Sequence, residues 1–176
     1  KLMSSKKLVS KNGRYLASYQ NEGLLLYSLS IANSKLTLDA VSRIGESAGI
    51  SILKFLGSNL IATGSSKGVV RVYRVSDEKG VSFIKEIKNH KNVKISGIDM
   101  YQDSNETLII TSSYDNTLNV TNLSNLDDFI SLKGHNGWVK DMYFDKTQKK
   151  IYSISQDSFL RYWFIDPNDI LKLLNN

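Results

Sequence analysis

The sequence has no cysteine, a single proline, Pro167, and only two histidines. Without cysteine the chain has no disulfides and no thiolate chemistry, which fits a reducing compartment. With two histidines and no cysteine, a zinc site would consist mainly of carboxylates, so we predict no metal centre. We also predict no cofactor, because the sequence contains no P-loop and no Gly-x-Gly-x-x-Gly pattern.

Long apolar runs are absent as well. No stretch of about 18 consecutive apolar residues occurs, so we expect no membrane-spanning helix and no membrane partner. Residues 1–7 are too polar for a secretory signal peptide. We therefore expect an intracellular protein, nuclear or cytoplasmic, rather than a secreted one.

The charge of the chain is basic, with a formal net charge of +6. A basic balance is found in proteins that bind nucleic acid or acidic proteins. Here the positive residues are scattered, and adjacent lysines occur only at Lys6-Lys7 and Lys149-Lys150. The scatter favours a solubilising surface over a dedicated nucleic-acid site.

An internal repeat organises the chain. Four segments align by a stretch of small residues followed by an apolar run, and each run contains one anchor position. The anchors are 46, 48 and 42 residues apart and are occupied by Tyr27, Tyr73, Thr121 and Trp163. Alternating runs of β-branched and aromatic residues, separated by Asn, Asp, Ser and Gly, predict short strands joined by turns. The period is slightly longer than that of a four-stranded propeller blade, ~40–45 residues.

The last repeat carries a specific motif: Gly134-His135, then Asp141, then Ser155-Gln156-Asp157, then Trp163. This pattern resembles the signature of the WD-repeat family, with Trp163-Phe164 in place of Trp-Asp. The resemblance implies an all-β fold, a β-propeller of four-stranded antiparallel blades. It also implies a structural tetrad in this blade, formed by His135, Ser155, Asp157 and Trp163. The third repeat has a partial tetrad of His90, Ser113 and Asp115.

Counting strands predicts about four blades. We expect a partial propeller over residues 1–165, with blades at about 6–43, 50–87, 94–133 and 138–165, followed by a short helical tail at 166–176. The fourth blade lacks an outer strand, and the chain offers no spare strand to supply it. We therefore expect the C-terminal part of a larger ring of about seven blades, completed by the rest of a longer chain or by a partner subunit.

Ser155, His135 and Asp157 have the residue types of a hydrolase triad. No Gly-x-Ser-x-Gly elbow surrounds the serine, and the implied tetrad accounts for all three residues, so we predict no catalytic residues. Function is instead expected at the face where partners of this family bind. By position, that candidate partner-binding face carries Trp138, Tyr114, Gln156, Asn92, Ser66 and Lys67.

Three functions follow in order of preference. The first is a non-catalytic protein–protein interaction scaffold within a multisubunit assembly. The second is a nucleic-acid-associated propeller in RNA processing or ribosome assembly, which would use the scattered lysines and arginines. The third, remote, is a hydrolase.

Overall fold

The protein is described from a computed structural model that covers residues 6–20, 23–32, 35–45, 49–77 and 80–165. Within these residues the regular structure consists of β-strands, which form four separate antiparallel sheets. The predicted all-β class and the predicted antiparallel blades are therefore confirmed, and no closed ring is seen among the described residues. The predicted tail at 166–176 lies outside them.

Each sheet is a blade, and its strands are neighbours in chain order. The first blade consists of β1 (Lys6–Val9), β2 (Tyr15–Gln20), β3 (Gly23–Ala32) and β4 (Lys35–Ile44). The second consists of β5 (Ile50–Leu56), β6 (Leu60–Ser65), β7 (Val70–Ser76) and β8 (Gly80–Ile87). The third consists of β9 (Ile95–Gln102), β10 (Thr107–Ser113), β11 (Leu118–Asn122) and β12 (Phe129–Leu132). The fourth has three described strands, β13 (Val139–Asp145), β14 (Lys150–Ser155) and β15 (Leu160–Phe164).

The hydrophobic core lies between successive blades rather than within any one of them. One cluster joins the first two blades, a second joins the middle two, and a third joins the last two. Strands that are covered on both faces cannot alternate polar and apolar residues. Accordingly all six residues of β6, Leu-Ile-Ala-Thr-Gly-Ser, are buried, whereas the outer strand β4 is largely exposed.

Two glycines permit the blades to approach closely. A Cβ atom at Gly64 would lie 2.7 Å from side-chain atoms of both Ile52 and Ile95. A Cβ atom at Gly97 would lie 2.6 Å from the Ser112 hydroxyl and 2.7 Å from Cγ of Met142. Both positions face an inter-blade contact, so a side chain there would push neighbouring blades apart.

The fourth blade presents an uncovered apolar face on the side away from the third blade. Strand alternation places Met142, Phe144 and Ile151 toward the third blade. The opposite face carries four large side chains that are each about half exposed or more: Tyr143, Ile154, Leu160 and Tyr162. A contiguous apolar face of this kind has the character of a surface that another element covers.

Candidate functional site

A tight turn between the second and third strands occurs in the second, third and fourth blades. In the third and fourth blades this turn positions an aspartate. At one equivalent place in this turn the backbone φ is positive, at Gly68 in the second blade, Asn116 in the third and Ser158 in the fourth. Asp115 and Asp157 immediately precede this position. Each therefore projects toward the histidine that lies before the innermost strand of its own blade.

In the fourth blade a chain of hydrogen bonds connects this turn to the core. Nδ1 of His135 lies 3.0 Å from a carboxylate oxygen of Asp157, and Nε2 lies 2.8 Å from the hydroxyl of Ser153. The indole N–H of Trp163 donates to the same hydroxyl at 2.9 Å. With the imidazole proton on Nδ1, Trp163 donates to Ser153, Ser153 to His135, and His135 to Asp157. The guanidinium of Arg161 also donates to Asp157, at 2.9 Å.

The structure corrects the predicted role of Ser155. It brings His135, Asp157 and Trp163 together, but the serine between them is Ser153. Residues 153 and 155 share one face of β14 because side chains alternate along a strand. Ser155 lies at the end of the strand, where its hydroxyl donates to the carbonyl of Gly137 at 2.8 Å and accepts from the backbone N–H of Asp157.

The third blade repeats this arrangement with substitutions. Nδ1 of His90 lies 2.9 Å from Asp115, and its Nε2 lies 2.9 Å from the hydroxyl of Thr111. Ser113, predicted as a tetrad member, instead donates to the carbonyl of Lys94 at 3.0 Å. Like Ser155, it stands two residues after the hydroxyl that contacts the imidazole of its blade. Sequence reasoning missed Thr111 and Ser153, although both stand two residues before the predicted serines.

Both carboxylates are held in their charged form. Burial by itself would raise the pKa of Asp115, but hydrogen bonds from His90 and Thr117 outweigh it and lower the pKa overall. Burial would likewise raise the pKa of Asp157, and backbone N–H groups of Asn136 and Phe159 overcome that effect and lower it. The low pKa values fit a structural role, in which a buried anion accepts several fixed donors.

The candidate partner-binding face is built from equivalent backbone hydrogen bonds in three blades. The backbone N–H groups of Ser66, Tyr114 and Gln156 each donate to a carbonyl just before the innermost strand, at 2.9–3.1 Å. Those carbonyls belong to Gly49, Lys94 and Trp138, which therefore hold equivalent places.

On this face Tyr114 and Trp138 contact each other between the third and fourth blades. Their rings are stacked, with centroids 4.9 Å apart and planes 6° from parallel. Lys94 covers the Tyr114 ring, with Nζ 4.7 Å from its centroid. Trp138 remains 50% exposed. Sequence reasoning missed Lys94, whose place before β9 matches that of Trp138 before β13.

The other predicted members of the face are not part of the ring stack itself. Asn92 has a positive φ and, with Lys67, lines a separate shallow cavity beside His90, Lys88 and Lys91. Ser66 and Gln156 are held in their turns by their backbone N–H bonds to Gly49 and Trp138. The structure thus brings together three of the six predicted residues: the rings of Tyr114 and Trp138 stack, and the backbone N–H of Gln156 bonds to the carbonyl of Trp138.

Metal-binding and membrane-spanning features are absent from the described residues. These residues contain no group of three or more histidine, cysteine, aspartate or glutamate side chains placed to hold a metal ion. They also contain no helix of the length and apolar character needed to cross a membrane.

Two known proteins are similar in sequence to part of this chain. Part of the chain is 26% identical over 111 residues to the ribosome biogenesis protein WDR12 homolog of Trichoplax adhaerens, covering 60% of this chain and 24% of that protein. It is 31% identical over 117 residues to a p21-activated protein kinase-interacting protein 1-like protein of Danio rerio, covering 60% of this chain and 31% of that protein. The chain thus spans about a third or less of the length of these relatives.

A solved structure has a similar fold, and a family model matches two segments of the chain. The computationally designed protein Ika4 superposes with a TM-score of 0.65 at 17% identity, over 94% of each chain, which shows similarity of fold. The family model described as WD domain, G-beta repeat matches residues 81–122 and 128–163. These matched segments contain both His–Asp networks. The chain therefore contains WD40 repeats at these two places, within a fold of β-propeller blades. Proteins with WD40 repeats generally serve as protein-interaction scaffolds.

Proposed function

We propose that this chain is a non-catalytic protein–protein interaction scaffold, a propeller subunit of a multisubunit assembly, and that it binds its partner around Trp138. The observation that carries the proposal is the half-exposed indole of Trp138, stacked on Tyr114 and thereby held in one orientation. Large, rigid aromatic side chains supply much of the binding energy at protein interfaces. Because the stacked ring of Tyr114 holds the indole before binding, little conformational entropy is lost when a partner covers it.

The geometry argues against the remote alternative of a hydrolase. Ser153, His135 and Asp157 are connected in the order of a catalytic triad. However, Ser153 is 1% exposed and His135 is 5% exposed, and the serine oxygen already accepts a hydrogen bond from Trp163. A substrate carbonyl has no path to that hydroxyl. We therefore assign the network to blade stability and propose no catalytic residue, cofactor or metal.

Site-specific photo-crosslinking tests the proposed binding face. Benzoylphenylalanine is introduced at position 138 and, as a matched control, at Phe83, which is 60% exposed on the outer strand β8. We expect proteins crosslinked in cells at position 138 but absent at position 83. The identified protein, once purified, should bind the Trp138→Ala variant about tenfold or more weakly, and the Phe83→Ala variant with nearly unchanged affinity. No specific crosslink at position 138, or equal binding by both variants, would overturn the proposal.

A second candidate function is a role in RNA processing or ribosome assembly. It is supported by the likeness to a ribosome biogenesis protein and by the net charge of +6. Under this candidate the protein resides in the nucleus, and under the first it resides in the nucleus or the cytoplasm. Affinity for single-stranded RNA, measured at increasing salt, separates the two, because each phosphate contact makes binding more steeply salt-dependent.

We further propose that the uncovered face of the fourth blade packs against another blade, supplied by the rest of a longer chain or by a partner subunit. Tyr143, Ile154, Leu160 and Tyr162 would then be buried as Met142, Phe144 and Ile151 are on the opposite face. The larger size of the relatives supports this proposal.

A further inference from the structure

A cavity of about 490 Å³ lies where the innermost strands of the four blades face one another. Residues of β1, β5, β9 and β13 line it, together with Lys94 and two tyrosines, Tyr19 and Tyr114. A volume of this size holds a few side chains rather than a folded element. The cavity adjoins the proposed partner-binding face, because Lys94 and Tyr114 belong to both.

The charge of this cavity is uncompensated. Lys7, Lys94 and Lys140 come from three different blades, and all three side chains are exposed. Within the described part of the chain, no carboxylate lines the cavity and none of the three lysines forms an ion pair. Lys54 on β5 shows the contrast, since its Nζ lies 2.7 Å from a carboxylate oxygen of Asp99. Three converging positive charges attract an anionic ligand.

The lining also has an apolar part. Leu8 is 36% exposed, and Ile52, which also lines the cavity, is partly buried. A ligand that satisfies both parts carries several negative charges next to an apolar group. A short peptide of acidic and aliphatic residues has this composition.

We propose that the cavity binds an acidic peptide segment of the partner protein, with its carboxylates paired to Lys7, Lys94 and Lys140 and an aliphatic side chain against Leu8. The inference rests on the proposed scaffold function and specifies the chemistry of the partner. A peptide fits better than RNA because the Tyr114 ring is already engaged within the protein. Trp138 stacks on it and the Nζ of Lys94 lies 4.7 Å from its centroid, which leaves this ring a poor platform for a base.

Fluorescence anisotropy tests the inference with defined probes. The probes are a labelled, end-blocked ten-residue peptide of Glu, Asp and Leu, the same peptide with Gln and Asn replacing the acids, and a ten-nucleotide oligouridine. The test variant is Lys7→Gln, Lys94→Gln and Lys140→Gln combined. The control variant combines Lys35→Gln, Lys85→Gln and Lys133→Gln, which are exposed lysines on or next to outer strands. Both variants lower the net charge equally, from +6 to +3.

We expect the protein to bind the acidic peptide in preference to both other probes. The cavity variant should lose about tenfold in affinity and the control variant less than about twofold. Equal losses in the two variants would reduce the effect to overall charge and overturn the inference. So would absence of peptide binding, or tighter binding of oligouridine through the same lysines. If the crosslinks at position 138 persist while the acidic peptide fails to bind, the scaffold function stands and only this inference falls.

Discussion

Thr111 in the third blade and Ser153 in the fourth occupy equivalent positions: the hydroxyl of each lies within 2.9 Å of Nε2 of its blade's histidine. Both hydroxyls are buried, and both connect a turn aspartate to the blade interior through the imidazole. The two blades differ at the anchor position of the third strand. The indole of Trp163 donates to Ser153 in the fourth blade, whereas the equivalent Thr121 accepts from Asn89 at 3.1 Å in the third.

Ser153→Ala should lower the free energy of unfolding substantially. It leaves Nε2 of His135 and the indole N–H of Trp163 without a partner, at about 1–3 kcal/mol for each group left unsatisfied. The urea midpoint measures the loss. Ser104→Ala, in an exposed turn, is the control and should change stability by less than about 0.5 kcal/mol. Equal stability of the two variants would refute the bridging role of Ser153.

Acid should destabilise the protein through Asp115 and Asp157. The folded-state pKa of each is below the unfolded value of about 3.9, so the unfolded state binds more protons as the pH falls. The stabilisation that these two carboxylates provide is fully present above the unfolded pKa and is lost as the pH falls through the folded pKa. We expect the urea midpoint of the wild type to begin to drop near pH 5 and to fall most steeply below about pH 4, and that of Asp115→Asn or Asp157→Asn to drop less. Asp127→Asn, in an exposed turn, should retain the wild-type slope; a wild-type slope in all three variants would contradict the prediction.

The fold class and three members of the fourth-blade network, His135, Asp157 and Trp163, could be predicted because the last repeat resembles the WD-repeat signature, which implies both. The sequence could not select Ser153 over Ser155. Both are serines on the same face of β14, and only their depth relative to the imidazole distinguishes them. Lys94 was missed for another reason: in the sequence it resembles any solvent-exposed lysine, and its contact with Tyr114 depends on the pairing of β9 with β10 in the folded blade.

Gly97→Ala should destabilise the contact between the third and fourth blades. The added methyl would lie 2.6 Å from the Ser112 hydroxyl and 2.7 Å from Met142, and overpacking of this kind costs about 1–3 kcal/mol. Gly45→Ala is a matched control, because no heavy atom lies within 4 Å of the position of its methyl group. Thermal denaturation compares the two. Equal melting temperatures would show that the blades are not in close contact at Gly97.

The two tryptophans should differ in accessibility. Trp138 is half exposed, whereas Trp163 packs against the core cluster of the last two blades. Acrylamide should therefore quench the fluorescence of Trp163→Phe, which retains Trp138, more strongly than that of Trp138→Phe. The reverse order would place Trp138 in the interior and remove it from the proposed binding face.

The isolated chain of 176 residues should self-associate through the uncovered face of the fourth blade. Leu160 is 67% exposed and Tyr162 is 58% exposed, on adjacent positions of that face, and apolar patches of this kind drive association. Light scattering should give a mass above 19.8 kDa that rises with concentration. Leu160→Lys combined with Tyr162→Lys should shift the chain toward monomer, because charge on the face opposes its burial. Ile31→Lys, at a residue 78% exposed on the first blade, is the control and should leave the association intact. A wild-type chain that stays monomeric at every concentration would show that this face needs no cover.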